Sequence, residues 1–265
     1  MKKNKSILLS TPYLIWMVVF TLIPLGVVCY YALTDPSTGE FSLVNLRGLN
    51  LYWGVLWQSI FYAVASAFIC LLLGYPFAYY IARKPPEVAS RLIMLIMIPF
   101  WTNSLMRLNA WMLLFQANGP VNHALMALGL TPEPIKFIYT DWLVMLGLIT
   151  NMLPFAVLPM YSSIEKLQKS MLEASADLGA KPSVTFLRVT LPLTFPGIFS
   201  AIILTFIPAL GIYTVTDMLG GGKVLYIGNI IKNQFGAIRN WPLGAALSVL
   251  LLVITGLLIF VYTRF

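Results

Sequence analysis

The chain has 265 residues, of which 59% are hydrophobic and only 10% charged, and its mean hydropathy is +0.85. A soluble domain carries about a quarter charged residues, so this composition excludes a water-soluble globule. Lys and Arg outnumber Asp and Glu by 17 to 9, a surplus that could serve nucleic acid, but the placement of the cations along the chain decides against that.

Several apolar runs supply the roughly 20 residues that a bilayer crossing needs. Ser6 to Thr34 is free of charge and follows Lys2, Lys3 and Lys5. It is too long for the core of a signal peptide, and Tyr30-Tyr31-Ala32 offers no A-x-A cleavage site, so a retained first helix is expected. Asp35-Pro36-Ser37-Thr38-Gly39 ends it in a turn. A second helix is expected from about Val55 to Ala82, closed by the basic stop Arg83-Lys84-Pro85-Pro86. The third starts after Arg91 and runs through Pro99 and Arg107 to about Phe115. Val121 to Leu130 reads as a short interfacial or re-entrant helix. The fourth span covers Trp142 to Ile164, the fifth about Val189 to Val215, and the sixth about Trp241 to Tyr262. There is no strand pattern, and lipid demands internally satisfied backbone bonds. The expected fold class is therefore all-α, a polytopic membrane protein with six transmembrane helices. Pro24, Pro76, Pro99, Pro154, Pro159, Pro192, Pro196 and Pro208 fall within or at the ends of spans, where each can kink its helix. Cys29 and Cys70 lie in apolar runs without metal-ligand spacing and read as small buried thiols, with a disulfide left open.

With six spans both termini share one side. That side collects Lys2, Lys3, Lys5, Arg83, Lys84, Arg91, Lys166, Lys169, Lys181, Arg188 and Arg264. The other receives Arg47, Lys136, Lys223, Lys232 and Arg239. The bias puts both termini and the 165–188 stretch in the cytoplasm. The positive charge is a topology signal, and no nucleic-acid partner is expected.

Glu165 to Arg188 is longer than a connection needs. Leu167, Met171, Leu172, Ala176 and Leu178 recur at roughly helical spacing, while Lys169, Glu173 and Asp177 take the other face. Gly179 suits a left-handed cap, and Pro182 suits the first turn of a following helix. The stretch predicts a short helix, a tight turn and a second short helix leading into span five. Such a pair is a docking element or an interfacial helix on headgroups. Its small residues Ala174, Ser175, Ala176, Gly179 and Ala180, with two acids, favour docking.

The run Glu173-Ala174-Ser175, then Gly179, then Val189-Thr190-Leu191-Pro192 resembles the EAA signature of permease subunits of binding-protein-dependent ABC importers. Ser175 stands where Ala is usual and Val189 where Ile is usual. Further stretches resemble the spermidine/putrescine importer permeases: Pro99 to Leu105, Leu158 to Leu167, Pro208 to Gly211 and Asp217 to Gly221. The resemblance implies one permease domain over residues 1–265 in a bacterial inner membrane, with 165–188 as its coupling loop. It implies that Glu173, Ala174, Ser175, Asp177, Gly179 and Pro182 engage an ATPase. It further implies a second permease of similar fold, two ATPase subunits docking at 165–188, and a polyamine-binding protein outside. ATP and magnesium would then belong to the ATPase partners, and this chain would hold no cofactor.

The chain offers no nucleotide site of its own. Gly222-Lys223 is preceded by Asp217 where a Walker A loop needs its first glycine, and followed by Val224 where it needs a hydroxyl, so 220–224 reads as a flexible external loop. The one histidine, His123, has no acid near it in sequence and reads as a headgroup-level residue, so no catalytic constellation is expected.

A polycationic solute calls for acids, carbonyls, amides and aromatic faces along its path. Asp217 with Tyr213 one turn before it, and Trp101, Thr102 and Asn103 past Pro99, are the leading candidates. Asn151 and Tyr161 on span four are the weaker ones. Arg107 would repel a polycation, so it is expected near the outer interface or paired with an acid, in a structural role or one toward the external binding protein. An importer for an inorganic anion or iron, and a stand-alone secondary transporter, are the alternatives.

Overall fold

The computed structural model describes residues 11–35 and 38–264. The charges Lys2, Lys3 and Lys5, the start of the first run at Ser6, and Pro36-Ser37 of the predicted turn lie outside the described residues. Elsewhere the chain is helical, and among the described residues the one β feature is an isolated bridge between Thr34 and Phe41. Among the described residues five helices are long and apolar enough to cross a membrane: Thr11–Ala32 (α1), Val44–Ala82 (α2), Asp141–Glu165 (α6), Pro182–Gly211 (α8) and Trp241–Arg264 (α11). Counted as one broken span, Pro86–Trp101 (α3) with Ser104–Phe115 (α4) and Pro120–Ala127 (α5), bent by 87° at the α3–α4 break, gives a sixth. The shorter helices are Lys169–Asp177 (α7), Thr214–Gly220 (α9) and Ile227–Phe235 (α10).

The chain divides into two compact units, one of residues up to Gly54 with Ile230–Val261, the other of Val55–Asn229 with Tyr262–Phe265. In the first, Ala32 packs against Ala245 and Ala246. The end of α1 is capped by Asn45, whose Nδ2 donates to the Thr34 carbonyl at 2.9 Å. Cys29, in this unit, is half-buried and Cys70, in the other, is buried; both are free thiols.

The second unit carries the candidate site. Its interior combines an apolar cluster that includes Leu108, Leu143, Leu148 and Leu219 with small and polar residues that let helices approach closely, while large apolar side chains also face outward, because lipid tails give no hydrophobic reward for hiding them all. On α2 the buried positions include Ser59, Ser66, Cys70 and Gly74, whereas Phe61, Phe68 and Leu72 are more than half exposed. Interior hydroxyls bond back to the preceding turn, as Ser59 does to the Val55 carbonyl (2.7 Å) and Thr205 to the Ala201 carbonyl (2.8 Å). The tightest seam joins α8 to α6. There Gly197 leaves so little room that a Cβ would stand 2.3 Å from the Ser163 Cβ and 2.8 Å from the Pro159 carbonyl oxygen. Gly74 does the same for α2 against Met160 of α6, and Gly147 for α6 against Leu219 and Val215 of α9.

Three expectations change. Span three is not one helix to Phe115, since it breaks at Thr102–Asn103. Span five stops at Gly211 rather than Val215, and a separate helix restarts at Thr214. The second helix of the 165–188 pair is not separate: it continues from Pro182 through one π-turn, Phe186–Thr190, into α8.

Candidate functional site

Three structures in the second unit have functional character: a hairpin at one end, a broken span in the middle and a hydrogen-bonded loop at the other end. The hairpin begins where the extended backbone of Gln168 separates α6 from α7. No residue of α7 is buried. Gly179 closes it at φ +78°. Its N–H donates to the Ala176 carbonyl at 2.8 Å, and the Ala180 N–H donates to that of Ser175 at 3.1 Å, so the last carbonyls of α7 are satisfied by the turn itself. Pro182 then opens α8 behind an extended Lys181. The Ser175 and Thr185 hydroxyls lie 2.9 Å apart and tie the two arms together. Glu173, Ala174, Asp177, Gly179 and Pro182 are exposed and Ser175 is half-buried. At the tip Leu178 is 89% exposed. A braced hairpin with exposed acids and an apolar tip has the chemistry of a docking surface.

At the root of the hairpin, Phe186 in the π-turn meets α2 edge-on at Tyr75 and Tyr79, with ring centres at 5.8 and 6.2 Å. The Tyr75 hydroxyl lies 2.8 Å from that of Thr194, and the Arg83 guanidinium sits 4.7 Å over the Tyr79 ring. Hairpin, α2 and α8 thus share one cluster of aromatic contacts.

The broken span has a clear local cause. Pro99 cannot donate to the preceding turn, Thr102 is extended, and the Asn103 side chain caps α4 by accepting the Leu105 N–H at 2.8 Å. The carbonyl of Pro99 then lacks its helical partner. The Thr102 hydroxyl donates to it at 2.6 Å, and so does the Arg107 guanidinium, folded back from the first turns of α4. The other end of the guanidinium donates to Asn151 Oδ1 on α6 at 2.6 Å, which Ser104 also approaches at 3.3 Å. Asn151 is 5% exposed, and its Nδ2 donates to the Gly147 carbonyl at 2.8 Å. Arg107 is therefore paired with a carbonyl and an amide rather than an acid, and it stands at the break. Its Nε, like the Nε1 of Trp111 one turn on, is buried without a hydrogen-bond partner. Trp101 is 73% exposed, and Thr102 and Asn103 are exposed beside it.

At the far end the restart of the fifth span places Tyr213 ahead of α9 and Asp217 in its first turn. Asn229 holds both. Its Nδ2 donates to Asp217 Oδ1 at 2.6 Å and to the Tyr213 carbonyl at 3.3 Å. Its Oδ1 accepts from the Thr216 hydroxyl (2.6 Å) and the Tyr226 N–H (3.0 Å). The next amide, Ile227, donates to Ser59 at 2.8 Å. Burial pushes the Tyr226 phenol far above its usual range, so it stays neutral there. The 220–224 loop is anchored at its edges, with Val224 6% exposed and a Cβ on Gly221 2.2 Å from the Tyr139 ring, while Gly222 and Lys223 between them are exposed.

The candidate residues therefore fall into four places. Thr102 shares the Pro99 carbonyl with Arg107, which reaches Asn151, Trp101 and Asn103 flank Thr102 in the chain, and Tyr213 joins Asp217 through Asn229. Tyr161 is separate, about 15 Å along α6 from Asn151, and donates to Glu165 at 2.8 Å. The hairpin residues stand together. Asn229 and the fully buried Asn122, which ties Gln116 to Ile135, have no sequence signal beyond a polar residue amid apolar neighbours. His123, next to Asn122 on α5, is exposed.

Residues 74–265 match the family of binding-protein-dependent transport system inner membrane components. The "Spermidine/putrescine transport system permease protein PotB" of Escherichia coli (strain K12) is 43% identical over 256 residues, covering 94% of this chain and 93% of that protein. Its counterpart from Haemophilus influenzae is 42% identical, covering 94% and 90%. In fold, the chain is similar to a chain of the crystal structure of a bacterial ABC transporter involved in the import of the acidic polysaccharide alginate. There the TM-score is 0.76 at 17% identity, covering 99% of this chain and 96% of that one.

Proposed function

This chain belongs to the family of binding-protein-dependent transport system inner membrane components, and from that premise we propose that it lines half of the pathway of an ATP-driven importer for polyamines of the spermidine and putrescine class. The observation that carries the solute assignment is the α3–α4 break. Its carbonyl and amide acceptors already hold an N–H cation, that of Arg107, and an exposed Trp101 beside them offers a face for cation–π contact. The likeness to polyamine permeases over 94% of the chain supports the same reading. A pathway for inorganic anions is less suited, since the guanidinium N–H groups point at acceptors of this chain.

In this reading the hairpin at 165–188 is cytoplasmic, as are both termini, and it docks into a separate ATPase subunit through Glu173, Ala174, Ser175, Asp177, Gly179 and Pro182. Two such subunits bind ATP and magnesium, while the permease itself performs no chemistry. A second permease of the same fold completes the pathway, and an extracytoplasmic binding protein delivers the solute. The whole chain acts as one permease domain. When the ATPases close, the hairpins are carried with them, and Phe186 passes the motion to α2 and α8.

The deciding experiment is ATP-dependent uptake of labelled spermidine into vesicles holding this chain with its neighbouring permease, ATPase and binding protein. Saturable, ATP-dependent uptake is the expected result. No uptake of any polyamine, with ATPase stimulation by a differently loaded binding protein, would discard the solute and keep the importer.

A second prediction concerns Asp217. Asp217→Asn keeps an oxygen for Asn229 to donate to, so the loop should hold and thermal stability should change little. Removing the charge should raise the apparent KM for spermidine about fivefold, the equivalent of about 1 kcal/mol. An unchanged uptake curve would assign Asp217 to holding Asn229 alone.

A further inference from the structure

Arg107 is the cation best placed to matter at the break, and its surroundings do not suit a plain structural brace. A central arginine costs about 2.5–3.5 kcal/mol on insertion scales, and here one of its donors, Nε, is buried and unbonded as well. Its two bonded nitrogens face the Pro99 carbonyl and the Asn151 amide oxygen. Neither acceptor carries a formal charge, and both are of the type that holds an ammonium group in a low-dielectric passage. The same break exposes Trp101, Thr102 and Asn103, so the acceptors lie beside a surface that a solute can reach.

We propose that the Arg107 guanidinium is a tethered stand-in for the solute's ammonium groups, holding the Pro99 carbonyl and the Asn151 amide oxygen until a passing polyamine takes them over. The inference rests on the polyamine reading above. Like charges at one site repel strongly where the dielectric is low, so an ammonium that arrives at the break displaces the guanidinium rather than joining it. The displacement removes the Arg107 tie between α4 and α6 at the moment the solute is present, leaving that of Ser104. Repulsion, which disqualifies Arg107 as a ligand, makes it a competitor, and the break opens only to a cation that can satisfy the same two oxygens.

The test is direct binding of spermidine to the assembled transporter in lipid nanodiscs, without ATP or binding protein, read as a shift in Tm. Wild type should shift little at millimolar spermidine, because Arg107 holds the acceptors. Arg107→Gln removes the competing charge and should bring a spermidine-dependent rise of about 3 °C or more, as expected for a ligand well above its Kd. Arg107→Lys keeps a cation at the site and should behave as wild type. Adding Asn151→Leu to Arg107→Gln should cancel the gain. If Arg107→Gln fails to assemble, Arg107→Met, which keeps the volume without the donors, carries the same expectation. Equal shifts in wild type, Lys and Gln proteins would overturn the exchange, as would no shift in the Gln or Met protein. Wild-type uptake of spermidine, measured alongside, separates these results from a failure of the polyamine assignment itself, in which uptake too would be absent.

Discussion

Replacing Gly179 by valine should cut ATP-driven uptake at least tenfold while leaving the amount of protein in the membrane unchanged. The reason is backbone rather than space. Nothing lies within 4 Å of a Cβ built on Gly179, yet its φ is +78°. A left-handed residue other than glycine costs roughly 1–2 kcal/mol, and a β-branched one lies at the upper end. Two kilocalories correspond to about a thirtyfold loss of the turned hairpin relative to other conformations. The turn does not hold the spans together, so the loss should fall on docking. Asparagine, which tolerates the left-handed region, should retain most uptake, and alanine should lie between. Uptake in vesicles, with immunoblots of the membrane fraction, gives the ranking. Equal activity of the valine and asparagine proteins would show that the left-handed turn is not what the hairpin needs.

Gly197→Val should do the opposite and remove the folded protein itself. Its Cβ would fall 2.3 Å from that of Ser163 and 2.8 Å from the Pro159 carbonyl oxygen. No rotamer change relieves a clash with backbone, so α8 must move away from α6. Overpacking of this kind costs about 1–3 kcal/mol and sometimes more, a large part of the usual stability of a domain. The protein level in membranes should fall about tenfold, and what remains should unfold at a clearly lower temperature. Ser163→Gly removes the nearer obstacle and should partly rescue Gly197→Ala, a coupling that a double-mutant cycle measures. Normal levels of the Gly197→Val protein would mean that the α6–α8 seam is looser than its geometry.

Hydropathy alone located the spans, because apolar length and charge-free runs are what a bilayer selects. The first helix and the turn of 165–188 were equally legible, since Gly179 and Pro182 have narrow conformational uses. The breaks were not. Prolines within unbroken helices, such as Pro76 in α2 and Pro154 and Pro159 in α6, look the same in sequence as Pro99 and Pro208. The difference lies three to four residues downstream. Pro99 is followed by Asn103, which caps a new helix, and Pro208 by Gly211, after which Ile212 is extended. A proline opens a gap in the ladder, and the chain leaves the helix only where the next turn offers another way to satisfy the backbone. The partners of Arg107 and Asp217 were hidden for a related reason. Asn151 and Asn229 reach them only after the chain has folded back at these breaks. Asn151, a pathway candidate from its place on span four, has its amide engaged on both sides.

The π-turn at Phe186–Thr190 has one more implication. Such a turn holds one residue more than a regular helix, which amounts to a phase offset of about 100° and an advance of about 1.5 Å along the axis. The direction in which the α7 hairpin points from the α8 axis is therefore encoded as a residue count. Deleting a single residue in the regular helix just past Thr190 would leave the hairpin's own sequence intact while swinging it about a quarter turn away from any fixed docking groove, whereas a deletion within the π-turn would close it to a regular turn and keep that direction.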